Sequence, residues 1–275
     1  MTKLATVAAF GFGDFNPPTL LPVYRELGCR TCQFYRNTDN PPELSDARRI
    51  AEDAGLPIDS VHGVFGFEHD PSSPDESIRQ KAIETYRVEG DAALQLGGPM
   101  VVVHPSPMAK SNEDTSESAR ATRVDPMKRS MEELAAIGDE TGVTYLIENL
   151  LDNYLFGSNA AQLAELIRDL NHPRVRMCFD TGHAHMTAGM NECMEPCSDA
   201  IEYLHVNDND AKSDSHLMPG DGTIDWDASV VLFENLPGAR VPSMLEIFYL
   251  EPKLKQMVAD GLGDRLAKWL SVADR

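Results

Sequence analysis

Six apolar runs of this chain stop on a side chain that can bind a divalent metal or move a proton. His62 closes IDSVH, His104 closes MVVVH, Glu148 closes TYLIE, Asp180 closes VRMCFD, His205 closes IEYLH and Glu246 closes SMLE. Each run has the length and the aliphatic or β-branched content of a buried parallel strand. A closed parallel barrel gathers the carboxyl ends of its strands around one opening, so residues this far apart in sequence would meet there. The last four, Glu148, Asp180, His205 and Glu246, supply three carboxylates and one imidazole. That set suits a divalent ion, Mn²⁺ first, with Mg²⁺, Co²⁺ or Zn²⁺ also accommodated. Three negative charges converging in a half-buried mouth would repel one another strongly without a cation.

More donors cluster nearby in sequence. His183 stands three residues beyond a strand end in Asp180-Thr-Gly-His183, and the turn-rich loop DSHLMPGDG carries Asp214 and His216, candidates for further metal ligands. His62, His104, His183 and His216 are expected to bind substrate, because an imidazole can polarise a hydroxyl without touching a metal. His69 and His172 read as surface residues, and His185 as either a partner to the cluster or an exposed side chain. Cys29-x-x-Cys32 has the spacing of a redox or zinc pair, but no second pair or nearby histidine accompanies it. With an odd total of five cysteines, ordinary reduced thiols are expected. Trp226 is expected to pack the start of a helix rather than to stack on a ligand.

The elements that must position these groups alternate along the chain. Strand-like segments at 4–10, 29–35, 58–65, 100–104, 144–150, 175–180, 201–206 and 243–250 interleave with helical ones near 18–27, from Pro42 and Glu43, from Pro74 to Leu96, and near 126–141, 159–170, 226–235 and 253–272. The stretch 185–199 predicts only a short or irregular helix. Residues 108–125 are polar, poor in aliphatics, and predict a lid or substrate rim on the active face. No internal repeat or linker interrupts this order, and 275 residues suit eight strand-helix units, which need roughly 250. A single (β/α)₈ TIM barrel over 1–275 is therefore expected. A 42% apolar fraction can fill its core, no stretch has the length of a membrane span, and MTKLATVAAF lacks a signal-peptide pattern, so a cytoplasmic protein without a membrane partner is expected. A net charge of −20 disfavours nucleic acid. Homo-oligomerisation is left open.

The strings IENL, FDTGH, LHVND, HLMPGDGTIDW and LEIF, in this order, resemble the sugar phosphate isomerase/epimerase group of the xylose isomerase-like TIM barrels, which also contains the type IV abasic-site endonucleases. The resemblance implies a small-molecule carbohydrate as partner and one ion on Glu148, Asp180, His205 and Glu246, with the two glutamates as the catalytic proton shuttle of a ketose epimerase. It equally offers positions matching the nine ligands of the endonucleases' three-zinc cluster, namely His62, His104, Glu148, Asp180, His183, His205, Asp214, His216 and Glu246. Three activities follow as alternatives: an isomerase or epimerase acting through an enediolate, a dehydratase or lyase using the same intermediate, and an endonuclease. The endonuclease needs basic loops, and the candidate loops offer only Lys110, Arg120 and Arg123 among several acids. With no clustered Arg or Lys and no Gly-rich phosphate cradle in the late loops, a free sugar is preferred to a phosphorylated one.

Overall fold

The alternation read from the sequence closes on itself. In the computed structural model, which describes residues 2–237 and 241–272, eight parallel strands form a closed barrel in chain order. They are β1 (Thr2–Phe10), β2 (Thr31–Arg36), β3 (Ile58–His62), β4 (Met100–Val103), β5 (Thr144–Glu148), β6 (Val175–Asp180), β7 (Ile201–Val206) and β8 (Val241–Leu245). The helices are α1 (Pro17–Leu27), α2 (Leu44–Asp53), α3 (Glu76–Leu96), α4 (Glu117–Ala121), α5 (Val124–Thr141), α6 (Ala160–Leu170), α7 (Thr181–Thr187), α8 (Met190–Met194), α9 (Trp226–Glu234), α10 (Glu251–Ala259) and α11 (Leu262–Trp269). The outermost residues of the single domain expected over 1–275 lie outside the described residues.

Two apolar clusters follow from the two faces of the strands. The larger fills the space between strands and helices, with Phe34, Val61, Val101, Tyr145, Phe179 and Leu204 among its buried members. The smaller lies inside the ring and includes Ala5, Val102, Leu146, Cys178, Tyr203 and Met244. Successive side chains of a strand point to opposite faces, so the residue two further on returns to the interior. Two positions beyond Val102, Leu146, Cys178, Tyr203 and Met244 stand His104, Glu148, Asp180, His205 and Glu246. The same parity that fills the barrel thus lifts the chemical groups to its rim, one layer above the residues that fill the ring.

Several boundaries differ from the sequence reading. The strands expected to run to 65, 150 and 250 stop at His62, Glu148 and Leu245. The helix expected over 253–272 is two helices, because Gly261 takes a left-handed φ of 74° that breaks the backbone ladder between them. Residues 181–199 form α7, α8 and a 3₁₀ turn over Glu195–Cys197, the short and irregular path expected. All five cysteines are free and buried; Cys29 Sγ donates to the Ala5 carbonyl and Cys32 Sγ to that of Leu56, with burial pushing both thiols up. The pair therefore sits in the wall as packing. No described helix is long and apolar enough to cross a membrane.

Candidate metal centre

Glu148, Asp180, His205 and Glu246 bring one ligand atom each to within 4.8 Å of all the others. All four are buried, none more than 6% exposed. His205 stands between the glutamates, its Nδ1 at 2.9 Å from Glu148 Oε1 and 3.2 Å from Glu246 Oε2. Strands five and eight are three apart in the ring, and their two glutamates converge on one imidazole.

Local structure holds Asp180 tightly. As the N-cap of α7 its Oδ1 accepts the His183 N–H at 2.6 Å, and its Oδ2 accepts from Asn207 Nδ2 at 2.8 Å. Asn149 clamps its backbone from both sides, taking the Asp180 N–H at 2.8 Å and donating to its carbonyl at 3.0 Å. The glycine of FDTGH is required here, because a Cβ on Gly182 would lie 1.8 Å from Asn207 Oδ1. Asp208, the next residue, is fully buried and accepts from Trp226 Nε1 at 2.8 Å and from the backbone of Asn209, Gly220 and Ile224. It shapes the loop that carries Asp214 and His216, and it gives Trp226 the packing role expected of it.

The charges in this cluster are in tension. Burial raises the Asp180 carboxyl to about 7, and Glu246 and Glu148 add to the push against the pull of His183. Burial acts on Glu148 and Glu246 in the same sense, yet neighbouring imidazoles, His205 foremost, hold Glu148 well below the usual carboxylate range and bring Glu246 down to about 2. Several carboxylates this close and this dry call for compensating positive charge. The donor set of three carboxylates and an imidazole fits a divalent ion.

The remaining sequence-predicted residues surround this core. His104 Nε2 lies 3.1 Å from Glu148 Oε2, and His62 Nε2 lies 3.9 Å from the same atom. On the opposite side Asp214 Oδ2 bridges His183 Nε2 at 3.4 Å and His216 Nε2 at 3.5 Å. All nine sequence-singled positions therefore meet at one mouth. His183 Nδ1 donates to the Asn149 carbonyl at 2.8 Å, which turns Nε2 outward. His185 instead contacts Thr223 Oγ1 at 2.9 Å and His172 pairs with Asp139, both away from the centre. His69, expected on the surface, is half-buried against Thr85.

Above the ligands is a cavity of about 110 Å³ whose rim includes Tyr35, Phe65, Tyr154 and Phe248. It adjoins a second cavity of about 380 Å³ over the ends of β1–β3, sharing Tyr35, His62 and Phe65 with it. Sequence reasoning missed these aromatics. Tyr35 and Phe248 carried a signal, since each continues the inward parity of its strand segment. The 108–125 loop contains α4 and is strapped down: Met108 bridges Tyr154, Ala109 N–H donates to the Asn153 carbonyl at 2.8 Å, and Arg123 binds Asp70 at 2.7 Å. It braces Tyr154 at the rim. Its other cations are engaged as well, Lys110 over the Phe67 ring at 3.9 Å and Arg120 on the Asp152 and Tyr154 carbonyls.

Known proteins resemble this chain in sequence or in fold. The chain is 28% identical over 238 residues to "Uncharacterized protein y4fM" of Sinorhizobium fredii, covering 76% of this chain and 74% of that one. It is 27% identical over 226 residues to "Probable endonuclease 4" of Bacillus velezensis, covering 64% and 76%. Among solved structures, a D-psicose 3-epimerase with D-tagatose from Clostridium cellulolyticum H10 superposes with a TM-score of 0.73 at 13% identity over the whole of both chains, a likeness of fold. Residues 21–265 match the family described as xylose isomerase-like TIM barrel, and the chain belongs to it.

Proposed function

We propose that this protein is a divalent-metal-dependent carbohydrate isomerase or epimerase that works through an enediolate. The observation that carries the reading is the convergence of Glu148, Asp180, His205 and Glu246 within 4.8 Å beneath an open cavity. A divalent ion held by these four, Mn²⁺ by preference, supplies Lewis acidity to a substrate carbonyl and its neighbouring hydroxyl. Glu148 and Glu246, both ionised at neutral pH on the shifts given above, are the bases: one removes the proton from the carbon beside the carbonyl and the other returns it. Return to the opposite face of that carbon epimerises the sugar, and return to the adjacent carbon isomerises it. His183, raised to about 10 against its burial by Asp180 and Asp214, presents a charged Nε2 donor to the developing oxyanion. Tyr35 stays protonated as a neutral donor at the rim, its hydroxyl pushed up to about 12 by burial and then by Glu246.

The second cavity favours a free sugar. Its only lining arginine, Arg36, is bound through both terminal nitrogens to the Glu89 carboxylate, so among the described lining residues no unpaired guanidinium awaits a phosphate. A dehydratase would use the same enediolate and differ only in expelling a hydroxyl. A second reading, phosphodiester hydrolysis at a three-metal centre, is favoured by the Asp214 bridge between His183 and His216 and by the likeness to "Probable endonuclease 4". Against it stands the engagement of Lys110, Arg120 and Arg123 inside the fold.

Turnover of ketoses in D₂O tests the first reading. Deuterium is expected on the carbon beside the carbonyl, and metal-loaded Glu148→Gln and Glu246→Gln should each slow exchange by at least about 10²-fold, the scale of general acid-base catalysis. Exchange at the wild-type rate in both metal-loaded variants would refute the shuttle. Protein-dependent nicking of abasic-site duplex, without exchange into any ketose, would put the hydrolase first.

A further inference from the structure

Beneath the metal centre a run of hydrogen bonds crosses the barrel interior, and we propose that it dictates which ring nitrogen of His205 is offered to the ion, with Gln33 as the positioning residue. The proposal rests on the metal reading of the four ligands. The run starts near the beginning of β3 at Asp59, whose Oδ2 lies 3.4 Å from Lys3 Nζ. Asp59 Oδ1 accepts from the Tyr203 hydroxyl at 3.0 Å and lies 2.9 Å from Ser60 Oγ, which is itself 2.9 Å from the Tyr203 oxygen.

Direction follows from counting hydrogens. The Asp59 carboxylate, with Lys3 beside its other oxygen, accepts the Tyr203 hydrogen. Ser60 has one hydroxyl hydrogen, and it goes to Asp59 or to the Tyr203 oxygen, both on the floor side. What Ser60 presents to Gln33 is therefore a lone pair. Only the amide nitrogen can serve it, and Gln33 Nε2 donates to Ser60 Oγ at 3.2 Å. That orientation aims Gln33 Oε1 at His205 Nε2, 3.1 Å away. An amide oxygen accepts and cannot donate, so Nε2 carries a hydrogen and Nδ1 is the nitrogen left to face an ion between Glu148 and Glu246. Gln33, Ser60, Tyr203 and His205 are each 0% exposed, which keeps bulk water from substituting for any link. A flipped amide would set an N–H₂ against Nε2, favour the other tautomer, and place a ring N–H where the ion belongs.

The test is metal affinity, measured as Mn²⁺ binding by electron paramagnetic resonance, on wild type, Gln33→Met, Gln33→Glu and Ser60→Ala. Gln33→Met keeps the volume and loses the acceptor; it should bind Mn²⁺ about 10- to 100-fold more weakly, the usual effect of removing a partner behind a ligating histidine. Gln33→Glu keeps the acceptor and should stay within a few-fold of wild type, while Ser60→Ala frees the amide to flip and should lose several-fold. A packing role predicts the reverse order, with neutral Met tolerated and a buried Glu damaging. In the Zn²⁺-loaded protein, ¹⁵N shifts of His205 should report a protonated Nε2 and a ligated Nδ1. Wild-type affinity in both Gln33→Met and Ser60→Ala, or ligation through Nε2, overturns the proposal. Absence of Mn²⁺ binding by wild type would instead overturn the metal reading on which it rests.

Discussion

Strands β5 to β8 carry to the rim three carboxylates and an imidazole held within 4.8 Å of one another, whereas β1 to β3 carry aromatic rings and a neutral imidazole around a cavity of about 380 Å³. The braces differ too. In the later half Asn149, Asn207 and Asp208 fix the backbone and side chains by directed hydrogen bonds. In the earlier half rings lean on rings, with Phe12 stacked on Tyr35 at 5.4 Å and Phe65 stacked on His104 at 4.3 Å. Even the histidines diverge: burial, then His104, brings His62 down to about 4, while His183 is raised to about 10 in spite of burial, by Asp180 first. A barrel offers eight equivalent strand ends, and this chain spends one side of the ring on charge and the other on shape. Directed polar bracing suits atoms whose positions decide reactivity, and aromatic packing suits a surface that must receive a ring.

If that division is right, variants on the two sides should fail differently. The largest effect is expected in the later half. Asp180→Asn removes a ligand charge while keeping its size, and titration with Mn²⁺ should show affinity reduced by on the order of 10²-fold or more, beyond the loss typical of partners behind a ligand. His62→Asn, on the earlier side, should leave Mn²⁺ affinity within a few-fold of wild type. Equal losses in the two would erase the distinction and favour the multi-metal reading. A smaller effect is expected for the shared aromatic edge: Phe65→Ala, which removes a ring contact worth about 0.5–1.5 kcal/mol, and Tyr35→Phe, which removes a hydrogen-bond donor worth about as much, should each raise KM about 3- to 10-fold with kcat nearly unchanged. A fall in kcat with KM unchanged in either variant would place the earlier half within the chemistry.

Much of this was legible in the sequence because a parallel barrel repeats one local rule. Eight apolar runs separated by helical segments gave the strand order, and ligand-type residues at run ends gave Glu148, Asp180, His205 and Glu246. Less was legible wherever a residue's partner comes from across the ring. Gln33 sits in CRTCQFYR beside other polar residues, with nothing local to single it out, and only the closed barrel brings it to His205, 172 positions away. Asn149 and Asn207 follow strand ends directly and so carried a positional signal, but their amides read as loop polarity until Asp180 is placed between them. The break in the last helical segment was marked by Gly261, yet a lone glycine does not announce its φ. The 108–125 loop looked like a lid on composition; its straps to residues 70 and 152–154 are tertiary and left no periodic trace.

The account's central claim is that the later half of the barrel binds one ion among four specified ligands. Crystals of protein loaded with Mn²⁺, measured at the manganese absorption edge, test it most directly. One anomalous peak enclosed by Glu148, Asp180, His205 and Glu246, and lost in Asp180→Asn, is the predicted result. No peak at that position, or three peaks shared with His62, His104, His183, Asp214 and His216, would contradict it.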